Sequence, residues 1–510
     1  MTPEDAYRTL EAQERRMSVI GGALAVLHWD RAVMMPDGGL WVRAEQTAAL
    51  NVVLHEMRTD PRRADLIEKA EAGASGLDEW RRANLREIRR FFERATALSA
   101  DLVERLAHAR AETEMAWRGA KQRADFSAVS DQLANLLALV REEAEMLGSA
   151  LKISPYDALL DGYDWGLRAA QFQPLFDRLA GDIPPLLDGI LARMSGLAAR
   201  IPLSGPFPVA AQERLGRTVM QRLGFDFDHG RLDVSHHPFT GGVPEDTRIT
   251  TRYEEGDFIQ ALMAVIHETG HALYERGLPQ AWRNQPVGRA RGMVLHESQS
   301  LMFEMQAGRS PAFVSYLSRL AREVFGGSGP AWASGNLLRH YHKVERGLIR
   351  VHADEVSYPL HVIARTRLEQ AMIAGALKVA DLPEAWNAAV TELMGVTPAN
   401  DRDGCLQDIH WYSGAFGYFP TYTLGALAAA QLFRAALAAA PEIEAELARG
   451  RADALLKWVR AKVHCLGSLA LTDEVIEQAS GARLGVAAFL DHLRARYLGG
   501  GTLAGAAAAQ

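Results

Sequence analysis

The sequence predicts an all-α protein with one small β-sheet, and three observations support this. Most of the 510 residues fall in long segments rich in Ala, Leu, Glu and Arg, which favour helices. Apolar residues recur in these segments at helical spacing. One short region, residues 224–253, instead has aromatic and β-branched residues in short runs between glycines, a pattern typical of strands.

The composition is that of a soluble globular protein, with 48% hydrophobic and 23% charged residues. A net charge of −7 gives no reason to expect nucleic acid or an anionic membrane as partner. The two cysteines, Cys405 and Cys465, argue against a disulfide framework and fit a reducing compartment. The first residues lack the basic and apolar regions of a signal peptide. We therefore expect a cytoplasmic protein.

The first part of the chain predicts helices joined by short breaks. Helices are expected over residues 2–27, 43–58, 169–199 and, as several pieces, 77–147. The segment HWDRAVMMPDGG, from His28, is predicted to be a turn because it contains Pro36, Asp37 and two glycines. Residues 153–165 are expected to form a loop, and the proline-rich residues 201–208 a linker.

The region after the linker contains the only predicted strands. Residues 224–253 are expected to form a small antiparallel sheet. Beyond residue 308 the pattern is helical again: residues 337–380 with a break at Tyr358-Pro359, and residues 423–497. Residues 400–414 resemble a loop, and the tail 498–510 is expected to be disordered. The most apolar stretch, residues 424–440, is too interrupted for a membrane span.

A metal-binding motif follows the predicted sheet, in the stretch AVIHETGHALYERG (residues 264–277). His267 and His271 are four residues apart, so on a helix they share one face and can bind one zinc ion. Glu268 is close enough to take a proton from a water on that ion without binding the ion itself. The alternative is a helix with two surface histidines.

A third ligand is needed for a hydrolytic zinc site, and Glu297 is the candidate. It lies in the helix-like stretch GMVLHESQSLMFEMQAG (residues 292–308). Apolar residues on both sides indicate a buried helix, where a carboxylate needs a partner. A His, His, Glu set leaves a fourth position for water. The alternative is a solvated helix glutamate.

Six ordered segments resemble the carboxypeptidase Taq family of metallocarboxypeptidases. They are HPF (237–239), DTRIT (246–250), HETGH (267–271), HESQ (296–299), IRVHAD (349–354) and GCLQDIHW (404–411). HWD at 28–30 and FGYFPTYTLG from Phe416 are similar too, so the resemblance covers nearly the whole chain. It implies a neurolysin-like zincin with two lobes around a long deep cleft.

The resemblance also implies an activity and an organisation. The chain is expected to be a single catalytic domain (1–510), with a helical lobe over the cleft (1–200) and a metal-site lobe (209–497). The family's members remove single residues from peptides with a free C-terminus, with broad specificity and with proline disfavoured. They are usually homodimers, with zinc as the usual metal and cobalt in some.

Further site residues are candidates for stabilising the oxyanion of the tetrahedral intermediate, which needs hydrogen-bond donors. The candidates are His237, His410, Tyr418 and Tyr422. Spacing does not choose among them, and packing roles remain the alternative for each tyrosine. A structural histidine remains the alternative for His237.

The free carboxylate of a peptide requires an arginine or lysine. Arg350, on which the IRVHAD segment centres, is the first choice, and Arg248 in DTRIT is the second. The alternatives are salt bridges within the chain, from Arg350 to Asp354 and from Arg248 to Asp246.

Two other functions remain open at this point. An oligopeptidase on the same fold would cut inside short peptides, and amidation of the C-terminus would not stop it. An inactive, metal-stabilised binding scaffold would have no use for Glu268, and a structural zinc site more often has four protein ligands.

Overall fold

A computed structural model describes residues 1–499. Within them the chain forms twenty α-helices and one three-stranded sheet, which confirms the mainly helical fold. The predicted tail lies, from residue 500 onward, outside the described residues.

Eight helices precede the linker. They are α1 (Pro3–Val33), α2 (Leu40–Thr59), α3 (Arg62–Ala72), α4 (Glu79–Thr96), α5 (Ala100–Arg123), α6 (Ser127–Leu151), α7 (Pro155–Tyr163) and α8 (Ala169–Ser195).

The prediction of a turn from His28 was wrong for its first half, because α1 continues to Val33 and only the residues around Pro36 leave the helix. The predicted loop 153–165 contains α7, which Ser154 caps and Pro155 begins.

The sheet follows α9 (Val209–Leu223) and consists of β1 (Gly230–Val234), β2 (Phe239–Val243) and β3 (Asp246–Thr251). The strand order is β1-β3-β2. β2 and β3 form the expected antiparallel pair, but β1 pairs with β3 in parallel. The prediction of a wholly antiparallel sheet was therefore wrong, because the chain crosses from β1 to the far side of β3 before β2 begins.

Eleven helices follow the sheet. They are α10 (Phe258–Gly277), α11 (Met293–Leu301), α12 (Pro311–Phe325), α13 (Ser334–Tyr341), α14 (Tyr358–Ile373), α15 (Leu382–Met394), α16 (Pro420–Ala439), α17 (Glu442–Leu447), α18 (Asp453–Lys462), α19 (Thr472–Ser480) and α20 (Ala487–Tyr497), with a π-helical turn (Met302–Gly308) directly after α11. Tyr358-Pro359 begins α14 instead of interrupting a helix, since proline suits the first helical positions. Residues 342–357 before it are not α-helical.

Helix α16 lies between two large apolar clusters. One joins residues of α5–α8 to residues of α14–α16 and α20, and the other surrounds α10, α11, α12 and α16. By length and composition α16 resembles a membrane span, but 61% of its most apolar window is buried within the protein, as in a core helix.

The division of the chain into two lobes, at residues 1–200 and 209–497, stays a prediction.

Two glycines allow the helices of the metal motif to approach closely. A Cβ atom added at Gly270 of α10 would lie 2.6 Å from Cα of Ser300 in α11. A Cβ added at Gly425 of α16 would lie 2.7 Å from Cβ and Cγ of Glu297. α11, which carries Glu297, therefore packs against α10 and α16 more closely than a side chain at Gly270 or Gly425 would allow.

Replacing Gly270 with alanine should push α10 and α11 apart. Overpacking of this kind costs about 1–3 kcal/mol, so we expect a lower melting temperature together with weaker metal binding. Gly181→Ala on α8 is the matched control, because nothing lies within 4 Å of a Cβ at that position. There alanine should stabilise the helix by about 0.5–1 kcal/mol. Equal melting temperatures for the two variants would contradict the packing argument.

Candidate active site

The predicted metal ligands lie together. One face of α10 carries His267 and His271, and α11 adds Glu297, so that one ligand atom from each lies within 4.8 Å of the others. Nε2 of His271 is 3.8 Å from Oε2 of Glu297. An ion bonded to each atom at about 2.0–2.2 Å can bridge that separation. The three residues therefore fit a single cation.

A chain of hydrogen bonds fixes the ring of His271. Its Nδ1 is 2.6 Å from Nδ1 of His296, and Nε2 of His296 is 2.9 Å from Oε1 of Glu275. Since His296 donates to the Glu275 carboxylate through Nε2, its Nδ1 accepts the proton of His271 Nδ1. The lone pair of His271 is then on Nε2, the atom that faces Glu297. His296 and Glu275 therefore orient the ring of His271.

Glu304 does the same for His267. Its Oε2 accepts a hydrogen bond of 3.0 Å from Nδ1 of His267, and its other oxygen accepts one from Arg309. Glu304 lies in the π-helical turn after α11, and such turns are frequent at functional sites. Carboxylates that bind the outer nitrogen of a ligand histidine orient the ring and raise its basicity.

The cluster carries more negative charge than its protein partners offset. Glu268, Glu297 and Glu304 are each only 8% exposed. Burial raises the pKa of Glu268 and of Glu297, and the carboxylates add to the effect through mutual repulsion. The pKa of His267 is raised to about 9, because the nearby carboxylates outweigh the effect of burial. A bound cation would offset this charge.

Glu268 does not stand free beside the ligands. The hydroxyl of Thr240 on β2 lies 2.7 Å from its Oε2 and 3.0 Å from its backbone oxygen. Thr240 is paired in register with Ile249, whose side chain packs on α10. Residues directly opposite each other in a sheet share a face, so Thr240 also faces α10.

His410, Tyr418 and Tyr422 form one aromatic cluster. Nε2 of His410 is 3.1 Å from the hydroxyl of Tyr422, and its ring lies against that of Tyr418. Burial, together with the charge of Arg350, lowers the pKa of His410 to about 4, so the ring is neutral near pH 7. Burial and then other charges, including Glu297, raise the pKa of both tyrosines. All three are therefore neutral hydrogen-bond donors, and the two tyrosines lie within electrostatic reach of Glu297.

Arg350 lies beside this cluster and pairs with Asp408, not with Asp354. Its Nε and Nη2 donate to Oδ1 of Asp408 at 2.9 and 2.7 Å. Arg365 donates to the other oxygen of Asp408 at 2.7 Å. Burial opposes ionisation of Asp408, but the two guanidinium groups outweigh it and lower its pKa. Two cations around one carboxylate leave one positive charge in excess.

Arg248 lies on the other side of the sheet. It forms the alternative salt bridge, donating to both oxygens of Asp246, and its guanidinium is 4.3 Å from the ring centre of Trp29. Because its neighbour Ile249 packs on α10, Arg248 faces away from α10. His237 is exposed in the segment between β1 and β2. In the described residues, no side-chain contact joins either residue to the metal ligands.

The comparisons with known proteins agree with this geometry. The family model described as carboxypeptidase Taq (M32) metallopeptidase matches residues 9–497. The chain belongs to this family. Thermostable carboxypeptidase 1 of Thermus thermophilus is 40% identical over an alignment of 512 positions, which covers 98% of this chain and 99% of that protein. A member of the carboxypeptidase Taq family is a metallocarboxypeptidase, a hydrolase that uses a divalent metal.

Solved structures of the carboxypeptidase Taq family have the same fold. Metallocarboxypeptidase 1 of Trypanosoma cruzi superposes with a TM-score of 0.95 at 38% identity, over 97% of this chain and 99% of that one. An M32 carboxypeptidase of Deinococcus radiodurans R1 gives 0.90 at 34% identity, over 97% and 99%. These likenesses confirm the zincin-like fold class.

Sequence reasoning missed four residues that complete the site: Thr240, Glu304, Tyr358 and Arg365. Glu304 stands seven residues after Glu297 in the same stretch, which is the one signal that could have drawn attention to it. Tyr358 accepts a hydrogen bond of 2.9 Å from Nη1 of Arg350. Its pKa is raised to about 12, first by burial, and the charge of Glu297 adds to the rise.

Replacing Glu304 with glutamine should weaken metal binding without removing a ligand. Loss of such an outer carboxylate typically costs about 10–100-fold in metal affinity. The measurement is competition for the metal against a chelator, with Glu297→Ala as the reference for loss of a ligand. Glu323→Gln, at an exposed glutamate of α12, is the control and should bind metal normally. Normal affinity in the Glu304 variant would show that the carboxylate does not support His267.

Proposed function

We propose that the protein is a zinc-dependent carboxypeptidase that removes single residues from the free C-termini of peptides. Broad specificity, with proline disfavoured, is part of the proposal. The observation that carries the proposal is that His267, His271 and Glu297 lie close enough together to hold one metal ion. Glu268 lies on the same helix as the two histidines. Two imidazoles and one carboxylate suit zinc, and cobalt is the second choice.

The chemistry divides between the metal and the chain. A zinc ion supplies Lewis-acid polarisation of the scissile carbonyl and lowers the pKa of water. Glu268 then takes the proton of the attacking water and passes it to the leaving amine. Its raised pKa, caused first by burial, suits both steps. Exclusion of water by the substrate should raise that pKa further.

Arg350 is the proposed receptor for the substrate's C-terminal carboxylate. The excess positive charge of the Arg350, Asp408 and Arg365 cluster supports this role, because it is buried and an anion would offset it. Nη2 of Arg365 also has no hydrogen-bond partner among the described residues.

The oxyanion donors are proposed to come from the aromatic cluster. His410, Tyr418 and Tyr422 are neutral donors near Glu297, so they can stabilise developing negative charge without adding a cation. His237 remains the fourth candidate, since its exposed side chain lies three residues before Thr240.

We further propose that the protein acts in the cytoplasm as a homodimer on peptides, without binding nucleic acid or membranes. The acidic net charge supports the absence of nucleic-acid and membrane partners, and the two free cysteines, Cys405 buried and Cys465 exposed, support the compartment.

Glu268→Gln should retain the metal and lose turnover. Removal of a general base typically costs about 10²–10⁴-fold in rate. Metal content is measured on the purified variant, and hydrolysis by mass spectrometry of a peptide digest. Loss of the metal together with activity would contradict the assignment of Glu268 as base. A wild-type protein that binds zinc and hydrolyses nothing would favour the inactive scaffold.

Arg350→Ala should mainly raise KM for peptides with a free C-terminus. Loss of a charged hydrogen bond is worth about 1.5–3 kcal/mol, or roughly 10–150-fold in kcat/KM. Arg350→Lys keeps the charge beside Asp408 and checks that the effect is not misfolding. Arg248→Ala is the control and should leave the preference for free over amidated peptides unchanged.

The wild-type digest separates the two peptidase functions. Ladders of single terminal losses that disappear on amidation support a carboxypeptidase. Equal cleavage of amidated peptides at internal bonds would establish an oligopeptidase instead. An Arg350→Ala variant that keeps the full preference for free carboxylates would move the receptor to another residue.

A further inference from the structure

The contact between β2 and the proposed base carries a further inference. Thr240 Oγ1 lies 2.7 Å from Oε2 of Glu268 and 3.0 Å from the Glu268 backbone oxygen. The hydroxyl has one proton, and the carboxylate is both the nearer and the more strongly accepting partner. Among the described residues, no other hydrogen-bond donor reaches the Glu268 carboxylate.

Glu268 needs such a restraint. Its side chain has several rotatable bonds, and ordering it in one conformation costs side-chain entropy. General-base catalysis requires the carboxylate within hydrogen-bond reach of the water proton. A donor that ties Oε2 leaves Oε1 as the free oxygen and fixes the plane of the group.

Thr240 is itself held firmly. Backbone pairing of β2 with β3 sets its position opposite Ile249, and the neighbouring Phe239 N–H donates to the Thr250 hydroxyl at 3.1 Å. A β-branched residue has few side-chain rotamers. The hydroxyl is therefore presented from a rigid strand, as a precise active site requires.

We propose that Thr240 is a positioning residue for catalysis: its hydroxyl orients Glu268 so that one carboxylate oxygen is directed to the attacking water. This rests on the proposed role of Glu268 as base. The competing explanation is structural: through the backbone oxygen of Glu268, the same hydroxyl would only attach the sheet to α10.

The test compares three single-residue variants. Thr240→Val removes the donor while keeping the branched shape, and Thr240→Ser keeps the donor. Thr251→Val is the matched control, because Thr251 lies on β3, is fully buried and has a hydroxyl without a partner among the described residues. Metal content, melting temperature, kcat and KM are measured for each.

Thr240→Val is expected to lower kcat by about 10–100-fold, the range for a lost hydrogen bond to a charged group, with KM within twofold and full metal content. Thr240→Ser should restore kcat to within about threefold, and Thr251→Val should not change it. A Thr240→Val variant with normal kcat, or a Thr240→Ser variant as slow as Thr240→Val, would overturn the proposal.

A double-mutant cycle separates positioning from structure. If Thr240 acts through the Glu268 carboxylate, Thr240→Val should not slow the residual hydrolysis of Glu268→Gln any further. The same fold-loss in both backgrounds would assign Thr240 to structure alone. Full activity of Glu268→Gln would overturn the proposed base itself, whereas an inactive Glu268→Gln beside a fully active Thr240→Val would overturn only the role of Thr240.

Discussion

Compensation of buried negative charge is the constraint on which this site depends. Three glutamates, Glu268, Glu297 and Glu304, lie within one buried cluster together with the two motif histidines. Isolated buried carboxylates are very costly, and only Glu304 has a charged guanidinium partner, Arg309. The fold accepts this cost because a divalent cation can occupy the centre of the cluster. Close packing at Gly270 and Gly425 then keeps Glu297 from turning away from the histidines.

Hydrogen bonds to the ring nitrogens that face away from the proposed metal position orient the two histidines. Glu304 binds the outer nitrogen of His267, and the His296–Glu275 pair binds that of His271. Both ligand rings are thus fixed with Nε2 inward before any metal arrives. When ligand side chains are already ordered, the binding of an ion involves a smaller free-energy cost of ordering.

The shared face of the two motif histidines could be predicted from the sequence because spacing on a helix is a local property. His267 and His271 are four positions apart, which places them on one face wherever the helix lies. Glu304, by contrast, lies in a π-helical turn, and its contact with His267 depends on how that turn packs against α10. Thr240 and Arg365 depend on contacts between segments far apart in the chain. The parallel pairing of β1 with β3 has the same origin, since strand order is decided by tertiary packing.

The two charged centres of the site have opposite sign, and this asymmetry bears on the choice between exopeptidase and oligopeptidase. The metal ligands and Glu268 attract a cation, while Arg350 and Arg365 around Asp408 keep one positive charge in excess. The single negative charge of Asp408 offsets one of the two buried guanidinium groups. The remaining positive charge is available to an anionic group of the substrate. A free C-terminal carboxylate would complete that cluster as a second anion. An internal peptide segment has no terminal carboxylate, so it would leave the excess positive charge of the cluster buried and uncompensated, which typically costs several kcal/mol. If Arg350 has the role proposed for it, the preference for chain ends resides less in the metal than in the arginine pair around Asp408.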